Sequence, residues 1–333
     1  MKSKVISLTA GFLFSLAIVS PVLAQVSNFD ALNGYAAGVE ARLAKARNSI
    51  LRLGAADSAS GLIVSAGYLD RQIDAASDSI ERSTDGGGAS VGYNWKNADW
   101  NFGVSFGADS TTSDYNEVNS PAPTPLHGSV EAKSVDGSVW AGVNFGQSRL
   151  TFFGSVGKTS NEGTRVSDAG SSFADYDSSD AAFGVQFSYN LSLSESVALQ
   201  PFLGISTASA DTDGFTERGT SPDRRILRDF KMRETRGAIG ARIAGKQATW
   251  VPSATLAWLS RFSGGDTSIS NSAINGSNLG IGLVPEASSG LFFIGAGISG
   301  ALSDKLASTL EVQYFTGGDE QQLGLNASLR YSF

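Results

Sequence analysis

Residues 323–333, Leu-Gly-Leu-Asn-Ala-Ser-Leu-Arg-Tyr-Ser-Phe, alternate without a break. Leu323, Leu325, Ala327, Leu329, Tyr331 and Phe333 share one parity, and Gly324, Asn326, Ser328, Arg330 and Ser332 the other. Successive side chains of a strand point to opposite faces, so this segment is a strand with one apolar and one polar side. The same pattern recurs along the chain. Strands are predicted at 62–70, 88–95, 100–108, 135–145, 150–158, 181–191, 197–207, 235–244, 249–262, 291–300, 306–315 and 322–333. In the third, Trp100, Phe102, Val104 and Phe106 oppose Asn101, Gly103, Ser105 and Gly107. In the sixth, Phe183, Val185, Phe187 and Tyr189 oppose Gly184, Gln186, Ser188 and Asn190.

A water-soluble sandwich also alternates, so length decides. Strands of about nine to twelve residues match what a tilted strand needs to cross a bilayer, whereas soluble strands average about five or six. The connections alternate long and short. Those at 96–99, 146–149, 192–196, 245–248 and 301–305 are short, and those at 71–87, 109–134, 159–180, 208–234 and 263–290 are long. Short turns at one end and long loops at the other are the habit of transmembrane barrels, and a Greek-key sandwich has no reason to sort its loops this way. The fold class expected is therefore all-β, a transmembrane antiparallel up-and-down β-barrel of about 12 strands. An even strand count puts both barrel ends on the short-turn, periplasmic side. Tyr68, Trp95, Trp100, Tyr189, Trp250, Trp258, Tyr314 and Tyr331 fall near strand ends with outward parity, as interfacial aromatic girdles do.

The other end of the chain reads as a secretory signal peptide over residues 1–24. Met1-Lys2-Ser3-Lys4 is basic, Val5 to Val19 is mostly apolar, and Val22-Leu23-Ala24 is a small-residue cleavage site. Residues 25–57 hold a short α-helix and linker, and residues 58–333 the barrel. Phe29, Leu32, Ala36, Val39, Leu43, Ala46, Ile50 and Leu53 make the helical stripe, with Arg42, Lys45 and Arg52 away from it. Three placements stay open: a plug in the lumen, a cover on the periplasmic mouth, or a self-association surface. In the plug reading those three cations meet lumen acids such as Glu234 and Glu311.

A helix, then a twelve-stranded barrel, then a terminal Tyr-Ser-Phe resembles the translocator domain of autotransporters. The most similar stretch is 291–306, Leu-Phe-Phe-Ile-Gly-Ala-Gly-Ile-Ser-Gly-Ala-Leu-Ser-Asp-Lys-Leu, with Glu311-Val-Gln-Tyr314 and the last strand. The resemblance implies a barrel in the outer membrane of a Gram-negative bacterium, exported through the Sec pathway. It also implies a helix through the pore and assembly by the outer-membrane insertion machinery, which reads Leu329, Tyr331 and Phe333. About 35 residues separate Ala24 from the first strand, so no passenger is recognised and no self-cleavage is carried over.

The remaining residues give little chemistry. With 0 Cys there is no thiol nucleophile or thiolate metal site. The one His, His127, follows a Pro-rich segment expected at a loop tip, a poor setting for a Ser–His hydrolase. Asp168, Asp175, Asp177 and Asp180 lack EF-hand spacing. A basic run, Arg224, Arg225, Arg228, Lys231 and Arg233, is a loop feature that would suit lipopolysaccharide phosphates. The net charge of −7 argues against nucleic acid. By parity Asp136, Glu234, Arg236, Arg242, Arg261, Glu311 and Arg330 face the lumen and form a charge network. The expectation is a non-enzymatic outer-membrane barrel, without cofactor or metal, in a structural or surface-interaction role with a helix-occluded lumen. The alternatives are a passive pore for small solutes and, as a minor one, an esterase. The partners expected are outer-membrane lipid, lipopolysaccharide and the assembly machinery; the oligomeric state stays open.

Overall fold

The structure is a computed structural model. It describes residues 35, 36, 43, 51, 60–74, 80–117, 126–167, 170–222, 224–246, 249–264, 267–274, 278–284 and 288–333. Twelve long strands make one closed wall. They are β1 (Gly61–Ile73), β2 (Ile80–Lys96), β3 (Trp100–Glu117), β4 (His127–Phe145), β5 (Ser148–Ser167) and β6 (Gly170–Tyr189). Then come β7 (Val197–Thr212), β8 (Phe230–Gly245), β9 (Trp250–Ser263), β10 (Gly290–Ala301), β11 (Leu306–Gly317) and β12 (Glu320–Tyr331). Each pairs antiparallel with its sequence neighbours, and β1 pairs with β12 from Leu62↔Tyr331 to Ile73↔Glu320. The ring is closed, so within the wall no backbone edge is left to face lipid, where an unpaired N–H or C=O costs several kcal/mol.

All twelve predicted strands are present, and the parity of each holds. The outward aromatics named above are all well exposed, from Tyr314 to Trp258. They form two belts. On β9, Trp250 and Trp258 lie eight residues apart, roughly 21 Å along the barrel axis at about 3.4 Å per residue and about 40° of tilt. That is close to the height of an outer-membrane apolar band, about 25 Å.

The predicted long loops are a different matter. Much of each is strand. β5 and β6 have 20 residues each, β4 has 19 and β3 has 18, against 12 in each of β10, β11 and β12. One side of the wall therefore rises well past the membrane band. The outward positions of these extensions are mostly polar and the inward ones mix Tyr115, Val130, Ala174 and Tyr176 with Ser, Thr, Asn and Arg, so the apolar-outward contrast that marks the membrane strands is lost. His127 accordingly begins β4, paired with Asn116 and Val166, instead of sitting at a loop tip. The predicted sixth strand ends at Tyr189 and the last at Tyr331. The tight turns follow local chemistry. Asn97 Oδ1 accepts from the backbone N–H of Asp99 (2.9 Å) and Trp100 (2.8 Å), an Asx turn between β2 and β3. Gly146, between β4 and β5, has φ +64°, a conformation that a side chain resists.

Two outward valines and their inward neighbours test the face assignment. Val64→Arg and Val104→Arg should each cost about 2–4 kcal/mol, the penalty of a cation facing mid-bilayer. Ser65→Arg and Ser105→Arg, which face the lumen, should cost clearly less. Unfolding titrations in lipid vesicles measure the difference, and equal costs would reverse the faces.

Candidate functional site: the lumen and its cap

The inward positions of β1–β6 are mostly Ser, Thr, Asn, Gln, Gly and Arg, which makes that part of the lumen wall polar, whereas β8–β11 also turn Phe230, Met232, Leu259, Leu291, Phe293 and Phe315 inward. Hydroxyls pair across neighbouring strands: Ser65 with Ser90 at 2.7 Å, Ser105 with Ser138 at 2.7 Å, and Ser134 with Thr159 at 2.9 Å. Toward the short-turn end, Arg149 Nη2 donates to Asn101 Oδ1 (2.6 Å) and its Nε to Thr151 (3.2 Å). Trp140 points inward and donates Nε1–H to Asn94 at 3.1 Å. Its ring lies where a side chain on Gly103 would stand, since a Cβ there would come within 2.1 Å of it. Gly103 is thus the socket for Trp140.

The seven predicted lumen charges all carry inward parity, and two of them, Arg236 and Glu234, form a close ion pair. Arg236 Nε donates to Glu234 Oε2 at 2.9 Å, and its Nη2 to the carbonyl of Ser288 at 2.9 Å. Arg242 Nη2 donates to Ser253 at 3.3 Å. Asp136, Arg261, Glu311 and Arg330 lie on the wall of β4, β9, β11 and β12. Further buried pairs involve residues that sequence reasoning missed. Arg71 Nε meets Glu320 Oε1 at 2.9 Å across the β1–β12 seam, both nearly inaccessible. Arg71, Glu320 and Arg165 share the inward parity of their strands, but they lie in extensions beyond the apolar alternation.

The strongest junction is near the tall end. The segment between β7 and β8 folds back toward the lumen. Arg218–Gly219 pairs with Ser172 and Phe173 of β6, and Arg225–Leu227 pairs both with Phe215–Thr216 and with the strand Thr267–Ala273. This places Glu217 in the interior, fully buried. Its carboxylate accepts Arg165 Nε at 2.8 Å and Nη2 at 2.7 Å, the Tyr35 hydroxyl at 2.6 Å, and the Arg225 backbone N–H at 2.7 Å. A buried carboxylate needs donors of this number and charge, because burying it unpaired is prohibitive.

Tyr35 belongs to the predicted helical region. Tyr35, Ala36, Leu43 and Leu51 are the described residues of that segment, and all four are helical and buried. Ala36 and Leu43 belong to the predicted stripe; Tyr35 and Leu51 are buried without belonging to it. The Tyr35 ring meets Tyr176 and Phe215 edge-on, at centroid distances of 6.0 and 5.0 Å. Its backbone carbonyl accepts the Tyr176 hydroxyl at 2.8 Å. A Cβ on Gly163, on the inner wall, would come within 2.5 Å of the Tyr35 ring. This residue is therefore inside the barrel, at its tall end. Arg42, Lys45 and Arg52 lie outside the described residues.

Burial pushes the Tyr35 phenol far above its ordinary pKa; the charge and hydrogen bond of Glu217 add to this, and Arg165 opposes it. Tyr115 and Tyr176, in the extensions of β3 and β6 beyond the membrane band, are also raised, chiefly by burial. The other sequence candidates do not assemble. The basic run is divided: the Arg225 side chain is buried, Arg224 Nε donates to the Ser221 carbonyl at 3.0 Å, and Lys231 pairs with Asp211 at 2.6 Å. Asp175 pairs with Arg218, and Asp168 lies outside the described residues. Among the described residues no three acidic or imidazole side chains converge on a metal-sized site.

A model of the autotransporter beta-domain matches residues 62–313. The chain belongs to the autotransporter β-domain family. The translocator domain of the autotransporter NalP from Neisseria meningitidis superposes with a TM-score of 0.69 at 16% identity, covering 89% of this chain and 100% of that one. The β-domain of the Bordetella autotransporter BrkA gives 0.57 at 19% identity, over 83% and 100%. The toluene transporter TodX from Pseudomonas putida gives 0.50 at 10% identity, over 84% and 92%. Likeness at these identities is likeness of fold. No curated protein matches the sequence. Autotransporter β-domains reside in the Gram-negative outer membrane, and the two aromatic belts and the apolar exterior between them fit this autotransporter barrel for that bilayer.

Two measurements probe the junction. Glu217→Gln removes the charge that both Arg165 nitrogens meet; breaking a buried pair from one side costs roughly 3–5 kcal/mol. The expected readout is protease nicking between residues 213 and 229 with the barrel still heat-modifiable on gels. Undiminished resistance would mean that Glu217 does not hold the cap. On raising pH, the three buried phenols should stay protonated in the folded barrel. Their stabilisation is complete below the ordinary phenol value of about 10 and declines above it, because only the unfolded chain then releases those protons. Phenolate absorbance should show the late-ionising set reduced by one in Tyr35→Phe.

Proposed function

We propose that this autotransporter-type barrel works as a closed, surface-facing outer-membrane protein. Its helix and the β7–β8 segment together occlude the lumen. The observation that carries the reading is the Glu217 junction, which ties Tyr35 of the helical segment to the wall through Arg165 and to the folded-back segment through Arg225. The long-connection end faces outside and the short turns face the periplasm, after Sec export. Leu329, Tyr331 and Phe333 serve as the assembly signal. Leu329 and Tyr331 stand on the outward face of β12, and Phe333, 81% exposed, lies edge-on to Tyr331 and stacks with Tyr93. We assign the barrel no enzymatic role; His127 stands in the wall at the start of β4, in register with Asn116 and Val166. The inward charges brace the wall and the helix, with Arg236–Glu234 and Arg71–Glu320 as the pairs already formed.

Conductance in planar bilayers tests occlusion. The intact protein should be nearly silent. Glu217→Ala should flicker, and removal of residues 25–57 should give a steady open current. A steady current from the intact protein would replace this reading with the solute pore. Orientation has its own test, made clean by the absence of cysteine. A cysteine at Thr220 should react with an impermeant maleimide on intact cells, whereas cysteines at Gln147, Ser194 and Asp304 should not. The opposite pattern would invert the topology.

A further inference from the structure

The outward face of β3–β6 carries a trough of about 580 Å³ just past the apolar band. Its shape follows from register. One outward row runs through Ala108, Val135, Lys158 and Ser179, and the next outward row holds Lys133, Ser160 and Asp177. The inward row between them shows only backbone on this side and makes the floor. The height is set by β4. From Phe145 at the short-turn rim, Val135 is ten residues up the strand and Lys133 twelve. At about 3.4 Å per residue and about 40° of tilt these are roughly 26 and 31 Å along the axis. The apolar band is about 25 Å tall, so both lysine rows stand at headgroup level.

The signs are layered. On β4 the first outward charge above the band is Lys133, and Glu131 follows it. On β5 the first is Lys158, and Glu162 comes later. Lys133 meets Glu131 at 3.0 Å, but both are well exposed, and such a pair is worth little in water. The Ser160 hydroxyl donates to Asp177 at 3.0 Å, and Asp213 lies beside Asp177, so the carboxylates gather at the β6 end of the trough. Glu131 and Glu162 face Lys133 from the next outward row, away from the band, so the band side of Lys133 and Lys158 is left for an anion. Below it the exterior is strongly apolar: Phe106, Val135 and Val156 are each more than 60% exposed.

We propose that this trough binds the phosphate-bearing headgroup of a membrane lipid, with the Lys133 and Lys158 ammonium groups on the phosphate oxygens. The acyl chains run down over Val135, Val156 and Phe106. A free phosphate ion would use the lysines but not the apolar strip beneath them, so the occupant is a lipid. The identity of the leaflet as the outer one rests on the orientation proposed above.

Full-length protein reconstituted in phosphatidylcholine vesicles, doped with either lipid A or phosphatidylglycerol, tests the site. Native mass spectrometry after transfer to detergent counts the lipid retained. The wild type should retain the phosphate-rich dopant over phosphatidylcholine. Lys133→Ala and Lys158→Ala should each weaken retention about fivefold, the effect of one cation near a charged lipid surface. The double variant should lose more, Lys→Arg at both positions should keep it, and Lys305→Ala, at the opposite end, should not matter. Heat-modifiable mobility reports that each variant is folded. Equal retention by wild type and double variant, or no preference over phosphatidylcholine, would overturn the proposal. Vesicle lipid is present in both leaflets, so this result is independent of orientation. A reversed maleimide pattern at Thr220 would overturn only the leaflet.

Discussion

Ring closure is the constraint on which the rest of this molecule depends. Within a bilayer there is no water to satisfy a strand edge, so the β1–β12 pairing must be complete through the apolar band. The register from Leu62↔Tyr331 to Ile73↔Glu320 supplies that pairing. Once the ring is closed, the period of two along each strand sorts every side chain to lipid or lumen. The outward apolar face, the aromatic belts and the polar lumen are all consequences of that single sorting. The buried Arg71–Glu320 pair sits at the same seam. A buried pair adds little net stability over an apolar substitute, but a one-residue slip of the seam would turn these charges outward.

A closed wall of twelve strands leaves an interior that must be filled. The lower lumen is filled by long inward side chains, Arg149 and Trp140 among them, seated on small neighbours such as Gly103. The upper lumen is filled by chain folded inward. Glu217 there has no solvent and four donors, and two of those donors come from a guanidinium that is itself buried. Such a carboxylate has one place in which it is satisfied, so it fixes the position of the segment that carries it. Tyr35 and Arg225 are held by the same group, which makes the cap and the helical segment one unit at that point.

The tall side of the wall explains why the cap and the lipid-phosphate trough lie on the same strands. β3–β6 continue far enough beyond the band to offer partners on both faces. Their inner face meets Tyr35, Phe215 and Glu217, and their outer face presents Lys133 and Lys158 at headgroup level. β10–β12, at 12 residues each, end near the band and offer neither.

Alternation determined the strand number and the face of each side chain, and strand length with the sorting of long and short connections determined the membrane fold, because a soluble sandwich alternates too but needs neither. Alternation also determined that charges such as Glu234 and Arg236 point inward, since the outward alternative is penalised. What only the tertiary structure decided is height and partnership. The extensions of β3–β6 lose the apolar-outward contrast, since their outward face is mostly polar and buried groups such as Tyr115 and Tyr176 face inward, so neither their length nor the inward parity of Arg165 has a hydropathy signal. Glu217 sits in an unremarked stretch, Gly214-Phe-Thr-Glu-Arg-Gly219, and its hydroxyl partner Tyr35 is 182 residues away in sequence. No local pattern encodes a contact over that distance; it exists because ring closure brings the two segments into one confined space.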